Sequence, residues 1–279
     1  MWTRKQIIDD LRDIGLKEGD NVLVHTSLRK IGAMEAGPET LLDALLTVLG
    51  PEGTLVAPTF TSNGDPAEWR HPPTDPAELE LLRIQVPVFD ASATPADTLS
   101  VGYFPELVRR HPQAKRSNHP VVSFAAIGAN AAFFTRTAPF HYPLGSSSPL
   151  ARLHQVDGST LLLGAEQTAN SSIHLAEVWA DVPYIHRSST LKTAPDVWSV
   201  MRGSPECSAG FNKIEPLLRH SRILREGYVG NAASQLMNQR AVVSMAITML
   251  QGNGAALLCN DKQCPWCSLA HKFTAAQRP

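Results

Sequence analysis

The sequence predicts an α/β fold: a single layered domain, a central mixed sheet flanked by helices, and irregular loop insertions. Three observations carry this. Asn21-Val-Leu-Val-His25, the leucine-rich Pro38–Leu49 and Thr54-Leu-Val-Ala-Pro58 form a strand–helix–strand unit within about 40 residues, the signature of a βαβ crossover. Apolar runs of strand length recur at Val121–Ile127 and Ser159–Leu163, the latter ending at Gly164. At 43% hydrophobic and 18% charged residues, a 279-residue chain has enough apolar surface for a large core and is not of the disordered class.

Taken in order, Thr3 and Gln6 stand three apart as a helix-capping box requires, and Ile7, Ile8, Leu11 and Ile14 mark one face of the helix that follows. Pro38 suits the first turn of a helix whose buried stripe is Leu41, Leu42, Leu45, Leu46 and Leu49, stopped by Gly50-Pro51. Residues 63–99 break the pattern with six prolines, seven carboxylates and two arginines. So long an excursion is a solvated surface loop or an acidic wall beside a site for a cation. Beyond it, Ser148-Pro149 starts a helix through Leu150 and Leu153, and Asn170 caps one carrying Ile173, His174, Glu177 and Val178. Tyr184–Lys192 and Val197–Met201 read as a hairpin, and Phe211–Arg219 as a helical turn interrupted by Pro216. Ala232–Leu250 reads as one long helix and Ala255–Cys259 as a last strand. Neither an internal repeat nor a clean linker is visible, so residues 1–279 are expected to form one domain.

Twenty-five basic against 26 acidic residues give a net charge of −1, which supplies no general field for nucleic acid or a membrane surface. No apolar run reaches the roughly 18 residues of a membrane helix. The start reads into an amphipathic helix, not a signal peptide, and four cysteines suit a reducing compartment, so a cytoplasmic protein is expected. G-x-S-x-G, the phosphate-loop pattern, H-E-x-x-H and G-x-G-x-x-G are all missing.

Three constellations carry chemistry. His25-Thr26-Ser27-Leu28-Arg-Lys30-Ile-Gly32 follows a strand directly, where α/β proteins bind ligands. Its amides, hydroxyls and lysine suit a phosphate or a carbonyl oxygen, although a well-capped turn would read the same way. Arg116-Ser117-Asn-His119-Pro-Val-Val-Ser123 joins the cations Arg109, Arg110, Lys115 and Arg116 to a strand. It reads as an anion site, or as a solvated basic face with His119 ordering the turn. Asn170-Ser-Ser-Ile-His174-Leu-Ala-Glu177 places a histidine and a carboxylate one helical turn apart. Such a pair is a general base with its orienter, or a core histidine beside a chance glutamate.

In order and spacing these strings resemble the aminoglycoside 3-N-acetyltransferase family, antibiotic N-acetyltransferases. The likeness includes Val24–Leu28 with Gly32, Arg116–Pro120 with Ser123–Gly128, and Gly145–Leu150. It continues through Leu161–Gly164, Asn170–Glu177, Phe211–Glu215 and Gly230–Ala232; Thr94-Pro95 and Ser100-Val101-Gly102 match loosely. Ser171 stands where the family usually has threonine. The resemblance implies acetyl transfer from acetyl-CoA to the 3-amino group of a 2-deoxystreptamine aminoglycoside, conferring resistance; the same chemistry on a different amine is the alternative. It also implies His25, Thr26, Ser27, Leu28, Lys30, Gly32, Ser100, Val101, Gly102, Arg116, Ser117 and Ser123 around the coenzyme, Lys30 and Arg116 meeting phosphates. His174 would be the base and Glu177 its orienter. Carboxylates are then expected near His174 for the antibiotic's ammonium groups, with Asp65, Glu68, Asp75 and Asp181 as candidates and Trp69 or Trp179 against sugar faces. Partners are small molecules, and the chain is expected to be a monomer or homodimer.

Gln251-Gly-Asn-Gly254-Ala-Ala256 fits the Q-x-x-G-x-A loop of the other common acetyltransferase fold, but it follows a helix where that loop should open one. At the C-terminal end, residues 255–272, Cys259-x4-Cys264-Pro-Trp-Cys267 with Cys207 or His271 has the spacing of zinc ligands; reduced structural cysteines give the same pattern. Catalysis is expected to need no metal.

Overall fold

The computed structural model describes residues 1–69, 71–204 and 207–275. Its strands are β1 (Asn21–Thr26), β2 (Thr54–Pro58), β3 (Lys115–Arg116), β4 (Phe124–Gly128), β5 (Ser159–Leu163), β6 (Ser188–Ala194), β7 (Val197–Arg202), β8 (Leu224–Val229) and β9 (Ala232–Asn238). Seven of them form a mixed sheet in the order β3-β4-β2-β1-β5-β9-β8, with β2, β1 and β5 parallel at its centre. β6 and β7 form the expected separate hairpin, but its first strand begins at Ser188 and not at Tyr184, because Pro183–His186 is a 3-10 turn. Burial on both faces explains why the central strands are continuous apolar runs. Val22, Val24, Leu55, Ala57, Leu161 and Leu163 pack under the helices Arg4–Asp13, Pro38–Leu49 and Tyr103–Arg110. Leu23, Val56 and Leu162 pack on the opposite face under Pro149–Gln155, Ser172–Trp179 and Gln239–Gly252. Among the described residues no helix is long and apolar enough to cross a membrane.

The expected caps form. Thr3 and Gln6 make the reciprocal capping box, and Ser148 Oγ accepts the Ala151 amide. Three expectations are corrected. Ala232–Leu250 is not one helix: β9 occupies its first seven residues, and Asn238 then caps the helix Gln239–Gly252 through the Ala241 amide. Alanine, glutamine, leucine and methionine favour helix, but pairing with β5 and β8 overrides them. The entry to β9 is the two-residue Gly230-Asn231 hairpin turn, at φ +58° for Gly230; a Cβ there would stand 2.6 Å from the Ile31 carbonyl oxygen. Ala255–Cys259 is a pair of turns, not a strand, pressed against Gly210 so closely that a Cβ on that glycine would meet the Leu257 carbonyl oxygen at 2.3 Å.

The 63–99 excursion is not all loop: it contains the helix Pro76–Gln85, capped by Asp75. It is tied to the β6–β7 hairpin by the Gly64–Leu191 bridge and by Glu68, which accepts the Thr190 amide.

His119 orders the turn before β4. Its Nδ1 accepts the amides of Val121 and Val122, so Nε2 carries the proton and faces the Phe140 carbonyl at 3.3 Å. Burial pulls its pKa down to about 4, and that of buried His25 to about 3. Both are therefore neutral in the fold at neutral pH. As pH falls below about 6.5 the unfolded chain takes up protons that the folded chain refuses, so stability is lost at up to about 1.4 kcal/mol per pH unit per group. Between pH 7 and 5 the melting temperature should fall, and His119→Asn should flatten the fall by close to one proton's worth. Identical slopes for the two proteins would show that His119 is not a source of the acid sensitivity.

Candidate active site

The carboxyl ends of β2, β1 and β5 open on one cleft of about 300 Å³. His25 and Thr26 come from the end of β1, Pro58 from the end of β2 and Phe60 from just beyond it, and Thr168, Ala169, Asn170, Ser171 and His174 from the segment after β5. This is where parallel α/β sheets place ligands. Ser100, Val101 and Gly102 with Pro105 form one lip, and Ser208 contributes from after the β6–β7 hairpin. His25, Thr26, Ser100, Val101, Gly102 and His174 are thus brought together from three distant segments.

His174 sits in the first turn of the helix Ser172–Trp179. Asn170 starts that helix: its Oδ1 accepts the Ser172 amide and its Nδ2 donates to Gln167 Oε1. Ser172 Oγ lies 3.0 Å from Thr160 Oγ1 of β5, fastening the helix to the sheet. One turn on, Glu177 Oε2 lies 2.6 Å from His174 Nδ1, with both side chains nearly buried. The second carboxylate oxygen accepts the Tyr184 hydroxyl at 3.0 Å. Burial, then the neighbouring Glu177 charge, push the Tyr184 phenol far up, so it remains a donor. Phe211 meets the imidazole edge-on, with ring centroids 4.8 Å apart. The ring is therefore fixed by a hydrogen bond on Nδ1 and by an aromatic contact, and Nε2 has no hydrogen-bond partner among the described residues. Such a relay holds a histidine in one tautomer and stabilises the cation it becomes on taking a proton. Sequence reasoning missed Tyr184, whose partner lies seven residues away, beyond the reach of helical spacing.

Two further buried polar atoms, His25 Nε2 and Thr26 Oγ1, lack partners among the described residues, and both residues line the cleft. An unsatisfied buried polar group costs about 1–3 kcal/mol, which a polar ligand would relieve. His25 is neutral, so it offers hydrogen bonding without charge.

Other expected site residues lie elsewhere. Arg116 is not free to meet a phosphate. Its Nε donates to Thr59 Oγ1 and Ser123 Oγ, Nη2 to the Thr59 carbonyl at 2.7 Å, and Nη1 to the Thr94 carbonyl, while its guanidinium lies over Phe89. Ser117 and Ser123 are fully buried; Ser117 Oγ accepts the Phe124 amide and Ser123 Oγ bonds to Thr59. Lys30 lines a second groove of about 970 Å³, with Gly164, Glu166, Asn212 and Asn231. Asn212 stands between the two hollows, its Oδ1 accepting the amide of Thr168, a residue of the cleft. Ser27 and Leu28 begin the short helix bearing Lys30, and Gly32 ends it against Asn231.

None of the six expected antibiotic-binding residues lines the cleft. Asp65 is ion-paired to Arg83 at 2.7 Å and caps a turn, and the Arg83 hydrogen bonds hold its carboxyl below the usual range. Glu68 and Asp75 hold backbone amides, as described above. Asp181 pairs with His186 at 3.1 Å, and Trp179 donates to Ser146 and packs edge-on against His154. Trp69 is half-exposed at the end of its turn. Acidic and aromatic residues served here to close loops, which composition alone does not distinguish from ligand binding.

A family profile described as aminoglycoside 3-N-acetyltransferase matches residues 23–251. Aminoglycoside N(3)-acetyltransferase IX of Micromonospora chalcea is 36% identical over 265 residues, covering 89% of this chain and 93% of that protein. The crystal structure of aminoglycoside acetyltransferase AAC(3)-IVa, as apoenzyme, superposes with a TM-score of 0.84 at 30% identity, covering 98% of each chain. AAC-IIIb in its binary complex with CoASH superposes with a TM-score of 0.78 at 30% identity, covering 90% of this chain and 96% of that one.

Proposed function

Since the chain belongs to the aminoglycoside 3-N-acetyltransferase family, we propose that it moves acetyl from acetyl-CoA to the 3-amino group of a 2-deoxystreptamine aminoglycoside, with His174 as general base. The observation that carries this is the His174–Glu177 pair: a fixed imidazole, one nitrogen held by a carboxylate and the other unpartnered at the wall of a cleft.

The reaction is a direct transfer in a ternary complex. Glu177 holds the proton of His174 on Nδ1, leaving the Nε2 lone pair for the amine. As the amine nitrogen bonds the thioester carbonyl carbon, its proton passes to Nε2. Glu177, steadied by Tyr184, stabilises the imidazolium. The carbonyl oxygen becomes an oxyanion, for which the unpartnered Thr26 hydroxyl and His25 Nε2 are the donors. The carbon–sulfur bond then breaks, and the thiolate of coenzyme A leaves with the proton from His174. No cysteine lines the cleft among the described residues, in keeping with transfer that needs no acyl-enzyme. The pantetheine arm reaches the cleft past Ser100–Gly102, and Lys30 in the wider groove meets the phosphates. The Asp97 carboxylate accepts the amides of Leu99 and Ser100 at the lip of the cleft and the Ser62 hydroxyl, which places one negative charge beside the cleft for a cationic acceptor. Acetylation removes one positive charge and adds bulk, weakening the antibiotic's hold on an anionic RNA. The enzyme is cytoplasmic, a monomer or homodimer, and its partners are small molecules.

Thiol release from acetyl-CoA, measured across aminoglycosides with and without a free 3-amino group and across simple amines, tests this. Turnover is expected only where the 3-amino group is free. Turnover with unrelated amines and none with aminoglycosides would leave the fold and reverse the acceptor.

A further inference from the structure

All four cysteines of the chain converge on one point, although Cys207 lies over fifty positions before Cys259. Their sulfur atoms all lie within 4.8 Å of one another. Cys259, Cys264 and Cys267 are buried and Cys207 half-buried, and all four are free thiols. We propose that they hold a structural zinc ion as a tetrathiolate.

The donor set fits the metal. Zinc–sulfur bonds of about 2.3 Å set tetrahedral sulfurs about 3.8 Å apart, so the cluster needs only a small contraction to close. Four soft thiolates in a closed tetrahedral set select zinc over harder divalent ions. Binding is not redox: four S–H bonds give way to four S–Zn bonds, and the four protons leave to solvent. The surroundings suit the resulting charge of −2. Backbone amides already point at the sulfurs, Cys259 N donating to Cys267 Sγ at 3.3 Å and Cys267 N to Cys264 Sγ at 3.5 Å. Arg187 lines the same small cavity as Cys207 and Cys267, lies over the Trp266 ring at 4.4 Å, and has its Nη1 buried with no partner among the described residues. His271, the alternative fourth ligand by spacing, instead faces the Cys259 carbonyl at 3.4 Å. Outer hydrogen bonds of this kind orient metal ligands and tune their hold on the ion.

The ion would staple the helix Pro265–Ala275 and the turns before it to the segment after the β6–β7 hairpin. That segment carries Ser208 into the catalytic cleft, and the cavity beside Cys207 and Cys267 is also lined by Tyr184 and Glu177. The zinc therefore supports the wall behind the His174–Glu177 pair without touching substrate. This holds whatever amine the enzyme acetylates.

Protein expressed in zinc-replete medium and desalted without chelator should contain about one zinc per chain by elemental analysis. A mercurial titration followed with a metallochromic dye should release that zinc in step with modification of the thiols. Cobalt-substituted protein should show intense sulfur-to-cobalt charge transfer and the visible bands of a tetrahedral site. Cys264→Ser should lose the metal and melt lower, and the cobalt measurement decides the matter if that variant fails to fold. Folded wild-type protein with four freely reactive thiols and no bound zinc, an iron site, or cobalt bands without charge transfer would each overturn the assignment.

Discussion

Replacing His174 by alanine lowers kcat/KM for a good aminoglycoside by about 10²–10⁴-fold and leaves the acetyl-CoA affinity nearly intact, if the imidazole is the base. The size follows from its position. Nδ1 is fixed at 2.6 Å from Glu177, so Nε2 is the ring nitrogen left to take the amine's proton. His25, the other imidazole in the cleft, is held neutral by burial, with a pKa near 3, and makes a poor base. The loss should therefore fall on kcat, because the proton is in transit only at the transition state. Glu177→Gln should lose less: the amide oxygen can still orient the ring, but no carboxylate stabilises its cation. A folded His174→Ala protein with near-wild-type turnover would return His174 to the role of a packed histidine and send the search for a base elsewhere.

What the sequence disclosed depended on how local each signal was. The βαβ unit, β5 and the capped starts at Thr3, Ser148 and Asn170 were legible because apolar periodicity and caps act within a few residues. The His174–Glu177 pair was legible for the same reason, since helical spacing alone brings the two side chains together. β9 was hidden because its residues favour helix and its partners lie far away in the chain. β8, Leu224-Arg-Glu-Gly-Tyr-Val229, is an edge strand with little apolar signal, and sequence reasoning passed it over. The helix Pro76–Gln85 buries none of its residues, so it has no stripe to read; only Asp75-Pro76 announced it. Charge was the least legible property. Arg116, Asp65 and Glu68 read as ligand-binding groups, yet each is spent on holding a loop in place, a role visible only when the distant carbonyls and amides are known.

Arg116→Ala is the second large effect expected, and it should appear in stability, not in coenzyme affinity. The guanidinium joins three parts of the chain: Thr59 just after β2, Ser123 at the start of β4, and Ala91 and Thr94 in the 63–99 excursion. Phe89 covers its face. Burial lowers its pKa to about 10, so it stays charged at neutral pH, and its donors reach the Thr59 and Thr94 carbonyls and two hydroxyls inside the protein. Truncation strips those acceptors of their donor, at about 1–3 kcal/mol for each one left dry. A total loss of about 3–5 kcal/mol is in line with breaking a buried charged network. For a chain of this size that is a fall in melting temperature of roughly 10 °C. Arg116→Lys should recover little, because one ammonium cannot reproduce a planar fork aimed at separate oxygens. Thermal unfolding and coenzyme KM, measured on the same preparations, separate the two roles. If Arg116→Ala keeps its melting temperature while the KM for acetyl-CoA rises tenfold or more, the residue binds the coenzyme's phosphates and is not the clamp its geometry describes.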